Sequence, residues 1–272
     1  MPNPVLNEKT LRQAAEREEA AGWGASRPLE TAPRPVDDGP ITPYRSNRFT
    51  VAGAARVTAI LFALLLAGGV FGWLSVGSPA ADGAIAFPGW VLLPVFAAFG
   101  VAILTIFKPH LARITAPIYA ILEGVALGAI SHVYESHWNG IVIEAVLGTV
   151  GVFGAMLLLY STRIIRVTDR TRRMVIAATF GIAVIYLVGI IASWFGSGLA
   201  FINQPTGLGI AFSFIVVGVA AFNLALDFDV IERAQRSAAP RDLEWFAAFG
   251  LMITVVWLYL EILRLLSKLN RR

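Results

Sequence analysis

The sequence predicts an all-α membrane protein, a bundle of seven transmembrane helices, and three observations predict it. Of 272 residues, 57% are hydrophobic and only 15% are charged, against roughly a quarter charged in an ordinary soluble domain. Mean hydropathy is +0.69. From residue 49 onward the apolar residues gather into runs long enough to cross a hydrocarbon core of roughly 30 Å. The runs are continuous and rich in Leu, Ala, Val and Ile. They therefore read as helices and not as the alternating strands of a barrel.

The first 48 residues stand apart. They hold seven acids (Glu8, Glu16, Glu18, Glu19, Glu30, Asp37, Asp38) and seven bases (Lys9, Arg12, Arg17, Arg27, Arg34, Arg45, Arg48), with prolines throughout. Such a segment buries too little apolar surface to offset its ordering entropy. It reads as a disordered, charged tail, with residues 6–22 able to form a transient helix capped by Asn7. It does not read as a signal peptide, because no short apolar core follows a basic start.

The membrane domain, residues 49–272, contains seven runs at approximately 53–75, 87–107, 113–133, 140–160, 174–195, 206–228 and 245–266. Pro94 and Pro117 are positioned to kink segments 2 and 3. Gly68 with Gly72, Gly124 with Gly128, and the run Gly148, Gly151, Gly154 offer small faces for close helix approach. Trp73, Trp90, Trp138, Trp194 and Trp245 fall near span ends, as interfacial anchors do.

Lys and Arg set the orientation. Lys108 and Arg113 lie in the 2–3 connection. Arg163, Arg166, Arg170, Arg172 and Arg173 lie in the 4–5 connection, and Arg233, Arg236 and Arg241 in the 6–7 connection. Connections 1–2, 3–4 and 5–6 have none. The positive-inside rule then places the N-terminus and the basic connections in the cytoplasm, and the membrane is expected to be the plasma (inner) membrane. Seven spans put the C-terminus outside, yet Arg264, Lys268, Arg271 and Arg272 crowd it. Six alternating spans outweigh one basic tail, so segment 7 is expected to cross; the alternative is a re-entrant segment.

Ionisable residues within spans are costly, and so are the functional candidates. Glu123 lies mid-span in segment 3 as a pore-lining or packing acid. Glu144 lies near the start of segment 4. Asp227 and Asp229 end segment 6, and Glu261 lies in the far half of segment 7, with Arg264 one turn later. Two carboxylates brought close in a low dielectric share a proton or take a cation between them, and a hard cation such as Ca²⁺ suits those oxygens. The plainer reading is that Asp227 and Asp229 mark the wet end of segment 6, while Glu261 and Arg264 neutralise each other along one helix. Direct pairing is also geometrically demanding. A turn at Ala239-Pro240 leaves Asp227 and Glu261 offset by about 12 Å along the helices. Closing that gap needs an asymmetric connection, an extension of segment 6 or a tilted segment 7.

Leu226-Asp227-Phe228-Asp229-Val230-Ile231-Glu232-Arg233-Ala234 resembles the end of the sixth helix of the Bax inhibitor-1 (YccA-like, TMBIM) family. Trp257-Leu258-Tyr259-Leu260-Glu261-Ile262-Leu263-Arg264-Leu265-Leu266 resembles its last helix. The hydrophobic layout over 49–272 fits an actinobacterial-type member, with the polar tail outside the likeness. The resemblance implies a bundle with the last helix near its centre. It also implies a pH-sensitive Ca²⁺ leak controlled by one acid on helix 6 and one on helix 7. Carried onto this chain, those are Asp227 and Glu261, which would also be the Ca²⁺ ligands, with Asp229 as fallback partner. Glu261 departs from the Asp usual in the family, and the stretch between the two acids is longer.

Other chemistry finds little footing. The chain has no cysteine, which removes disulfides, thiolate metal sites and Cys nucleophiles. His132, Glu135 and His137 invite a metal, but the histidines are five apart and do not share a helix face. Gly196-Ser197-Gly198 lacks a base, since no histidine follows residue 137. Lys268 sits too near the end of the last run for a Schiff-base lysine. No phosphate loop or dinucleotide fingerprint appears. The net charge of +4 reads as a topology signal and not as a nucleic-acid footprint. The expectation is therefore a protein that is not an enzyme and has no cofactor, working in the lipid bilayer as a pH-sensitive Ca²⁺ or cation leak. The alternative is a non-conducting interaction protein that modulates membrane proteolysis or stress survival. The charged tail favours a cytoplasmic or membrane protein partner.

Overall fold

Backbone N–H and C=O groups cannot go unpaired in lipid, so an apolar run that crosses it satisfies them within its own helix. The computed structural model describes residues 48–77, 88–195 and 204–271, all within the unit Asn47–Arg272. The expected tail, apart from Arg48, lies outside the described residues, as do Gly196, Ser197 and Gly198 and the side chain of Trp194. The helices are α1 Val51–Ser75, α2 Leu92–Phe107, α3 Ala112–His137, α4 Ile141–Ser161, α5 Asp169–Trp194, α6 Gly207–Arg236 and α7 Leu243–Asn270. Single 3-10 turns, Gly89–Val91 and Pro109–Leu111, lead into α2 and α3. Among the described residues there are seven helices long and apolar enough to span a membrane.

Several helices outrun their apolar cores. The sequence ends segment 6 near residue 228, but α6 continues to Arg236. The reason is local: Asp229 pairs with Arg233 and Glu232 with Arg236, each at i,i+4, which carries the helix through its polar end. α7 likewise runs on to Asn270. Pro94 does not kink a span. It sits in the first turn of α2, where its missing N–H costs no helical bond. Pro117 does lie inside α3.

α7 is the hub. It packs on α1, α3, α4 and α6, and Phe249, Met252, Leu258 and Leu263 along it are fully buried. α1 and α3 pack closest of all. Gly68 and Gly72 lie on the backbone of Ile121 and Val125, while Gly124 and Gly128 lie on that of Leu65 and Gly69, so a methyl at any of the four would collide with main chain. This is the small-residue contact of membrane helices. The third glycine run differs from expectation. Gly148 touches only Ile262, and Gly151 and Gly154 face open space. α5 is the rim helix, with only 11% of its apolar window buried.

The ends sort cleanly. Phe49 N–H donates to Ala239 O at 2.8 Å, and the Tyr160 hydroxyl donates to Glu232 at 2.5 Å. The start of α1, the end of α4 and the α6–α7 connection therefore share the basic end of the bundle. At the other end Arg271 lies over the Trp138 ring, 5.0 Å from its centroid, and Lys268 reaches Gly209 at the start of α6. α7 thus runs the full thickness, and the re-entrant alternative fails. Of the basic residues that argued against crossing, Arg264, Lys268 and Arg271 make contacts within the far half of the bundle.

Candidate functional site

The candidate acids meet three different fates. Glu261 is 2% exposed. The Tyr186 hydroxyl lies 2.9 Å from each of its oxygens, and Arg264 Nη1 donates to it at 3.0 Å. Tyr186 serves both partners, since the Arg264 guanidinium also lies 4.8 Å from its ring centroid. Glu261 is therefore a neutralised, hydrogen-bonded counter-ion. Asp229 is latched as well, to Arg233 Nε at 2.7 Å and to Arg172 Nη2 at 3.4 Å.

Asp227 differs. Its Oδ2 is buried without a hydrogen-bond partner among the described residues, and its carboxyl lies against Thr254 of α7. Thr254 also fixes the register. Glu261 is seven residues further along α7, about 10 Å. Asp227 is nine residues from the basic end of α6, and Glu261 nine from the opposite end of α7. The structure thus sets the two acids in opposite halves and does not bring Asp227, Asp229 and Glu261 into one cluster. The cause is the alignment of α6 with α7, which leaves uncorrected the offset already visible in the sequence.

α5 supplies the partners. Arg172, Thr179 and Tyr186 recur every seven residues, a spacing that keeps them on one stripe of a helix. Arg172 reaches Asp229, Thr179 accepts from Asn223 Nδ2 at 2.8 Å, and Tyr186 reaches Glu261. A helix with little apolar burial thereby gains a polar seam to α6 and α7, beside the buried Val175 and Ile182. Glu123, the mid-span acid of α3, lies beside Tyr119 one turn earlier. Tyr119 packs edge-on against Phe249 of α7 at 5.1 Å, which places Glu123 in the packed half of the bundle. Glu144 is exposed in the first turn of α4.

Two buried charges escape sequence reading. Glu244 is 4% exposed and accepts from Thr50 N–H and hydroxyl at 3.0 Å each. It fastens the start of α1 to the start of α7, and its carboxyl lies where a side chain at Gly53 would begin. Lys268 is 2% exposed and donates to Gly209 O at 3.0 Å and Ser213 Oγ at 2.7 Å. Both partners are neutral. The histidine cluster is structural: His132 stacks on Trp73 at 4.7 Å, and Glu135 accepts from Gly140 and Val142 N–H at the start of α4. Among the described residues no group of three or more His, Asp or Glu could hold a metal.

The last helix packs on four others at the centre of the bundle, as the resemblance implied, while Asp227 and Glu261 lie in opposite halves and do not form a pair. A family model described as Bax inhibitor 1 like matches residues 3–271. The chain belongs to the Bax inhibitor 1 like family. No curated protein and no solved structure matches it. The match begins near the N-terminus, which corrects the expectation that the polar tail lies outside the likeness. In this Bax inhibitor 1 like bundle α6 and α7 carry Asp227, Asp229, Glu261, Arg264 and Lys268. Among the described residues, Asp227 Oδ2 is the buried side-chain oxygen without a hydrogen-bond partner.

Proposed function

We propose that the protein is a pH-sensitive Ca²⁺ or cation leak of the plasma membrane, with its N-terminus in the cytoplasm and Asp227 as its proton- and cation-sensing group. The supporting observation is the buried, unpartnered Oδ2 of Asp227 against α7. A carboxylate held so in low dielectric is stable only when a proton or a cation neutralises it. Neutral and closed with a proton, it becomes a cation site when the proton leaves, so flux rises with pH. Glu261 is the second acid on the route. It becomes a Ca²⁺ ligand when α7 shifts enough to release Tyr186 and Arg264. Asp229 holds α5 to α6 and is not the sensor.

One observation favours the rival, non-conducting reading. Arg264 and Lys268 set two cations against one acid, Glu261, along the far half of α7, an unfavourable lining for a divalent cation. Reconstitution of the full chain in liposomes containing a Ca²⁺ dye separates the two. Protein-dependent Ca²⁺ flux supports the leak. Its absence at every pH, with folded protein in the vesicles, supports an interaction protein whose partner meets the charged tail.

A further inference from the structure

At the basic end α1, α4 and α6 part to leave a cavity of about 880 Å³, within the size range of small-molecule sites. Its walls are apolar, with Phe62, Phe153, Leu157 and Phe228 among them, and its rim carries Arg163 and Arg166 from the α4–α5 connection. The acids that also line it are committed: Asp229 to Arg172 and Arg233, and Glu232 to Tyr160 and Arg236. Neither rim arginine has a carboxylate within ion-pair distance among the described residues; Glu232 draws Arg163 only at longer range. Arg163 adopts the left-handed backbone, φ 58°, which a side-chain-bearing residue does at a cost. Arg163 N–H to Tyr160 O and Ile165 N–H to Leu159 O fold the connection back over the end of α4, and so hold the arginines at the cavity.

We propose that this cavity binds one anionic glycerophospholipid of the cytoplasmic leaflet, its phosphate between Arg163 and Arg166 and an acyl chain along the apolar wall. The complementarity is twofold. Guanidinium groups with no ion pair to a described carboxylate meet phosphate at the height where α4 ends, and an apolar trough continues from them into the membrane. Basic pockets between transmembrane helices on the cytoplasmic side recognise anionic headgroups in this way. The proposal is independent of conduction.

The test is native mass spectrometry of the detergent-solubilised full chain, titrated with phosphatidylglycerol, phosphatidylcholine or soluble glycerol phosphate. One phosphatidylglycerol should be retained in preference to phosphatidylcholine, and glycerol phosphate should not compete. Arg163→Gln with Arg166→Gln should weaken retention about thirtyfold, from the loss of two surface cations. Arg170→Gln with Arg173→Gln, outside the cavity lining, should not. Ala59→Trp, which fills the cavity from α1 and leaves the arginines intact, should also abolish retention. It keeps the test open if the double Gln variant fails to fold. Equal retention of phosphatidylcholine, competition by glycerol phosphate, or full retention by Ala59→Trp would overturn the proposal.

Discussion

The Tyr186 hydroxyl lies 2.9 Å from both carboxylate oxygens of Glu261, which joins the rim helix α5 to the hub helix α7 across the far half of the bundle. Arg264 donates to the same carboxylate at 3.0 Å and lies against the Tyr186 ring, so the charge of Glu261 is held by two adjoining partners.

Removing those partners should have unequal effects. Arg264→Ala leaves a buried carboxylate uncompensated and should cost about 3 kcal/mol. Tyr186→Phe removes a hydrogen bond to that carboxylate but leaves its counter-charge in place, and should cost about 1.5 kcal/mol. Thermal unfolding in detergent checks the order. Joining Glu261→Gln to Arg264→Ala should recover most of the loss, because no buried charge is then left alone; failure to recover would mean that Arg264 acts through packing.

Lys268 is buried against neutral acceptors, so its charge stands in the way of a cation moving along α7. If the leak runs there, Lys268→Met should raise Ca²⁺ flux roughly tenfold, the effect of taking about 1.4 kcal/mol from a barrier. Unchanged flux in a folded variant would place the route elsewhere.

The absence of native cysteine makes topology directly testable. Single cysteines at the exposed positions Asn139, Ser237 and Asn270 report two connections and the C-terminal end of α7. Asn139→Cys and Asn270→Cys should react with an impermeant maleimide on intact cells, and Ser237→Cys only after permeabilisation. Labelling of Ser237→Cys on intact cells would invert the orientation.

The glycines separate packing from composition. Gly72→Ala puts a methyl into the Val125 backbone and should cost about 2 kcal/mol or more. Gly151→Ala, facing open space, should be neutral or stabilising by up to about 1 kcal/mol. Equal effects on unfolding temperature would contradict the α1–α3 packing.

The number, order and alternation of the helices were legible because lipid imposes long apolar runs and the arginines mark one side. The fate of the acids was less so. Glu261 with Arg264 could be read from their i,i+3 spacing, but Tyr186 could not, because a rim helix declares its inward stripe only through the spacing of Arg172, Thr179 and Tyr186. Lys268 and Glu244 were hidden by their position at the ends of apolar runs, where a charge ordinarily means solvent. The longer α6 followed from i,i+4 ion pairs that hydropathy does not register. The alignment of Asp227 with Thr254 depends on how two helices slide past each other, which no local pattern encodes.

Protonation of Asp227 is proposed to control conduction. The most direct measurement is the pH profile of Ca²⁺ flux in proteoliposomes for the native chain, Asp227→Asn and Asp229→Asn. Flux through the native chain should rise with pH, Asp227→Asn should flatten the rise, and Asp229→Asn should preserve it. An Asp227→Asn protein with the native pH profile would contradict the account.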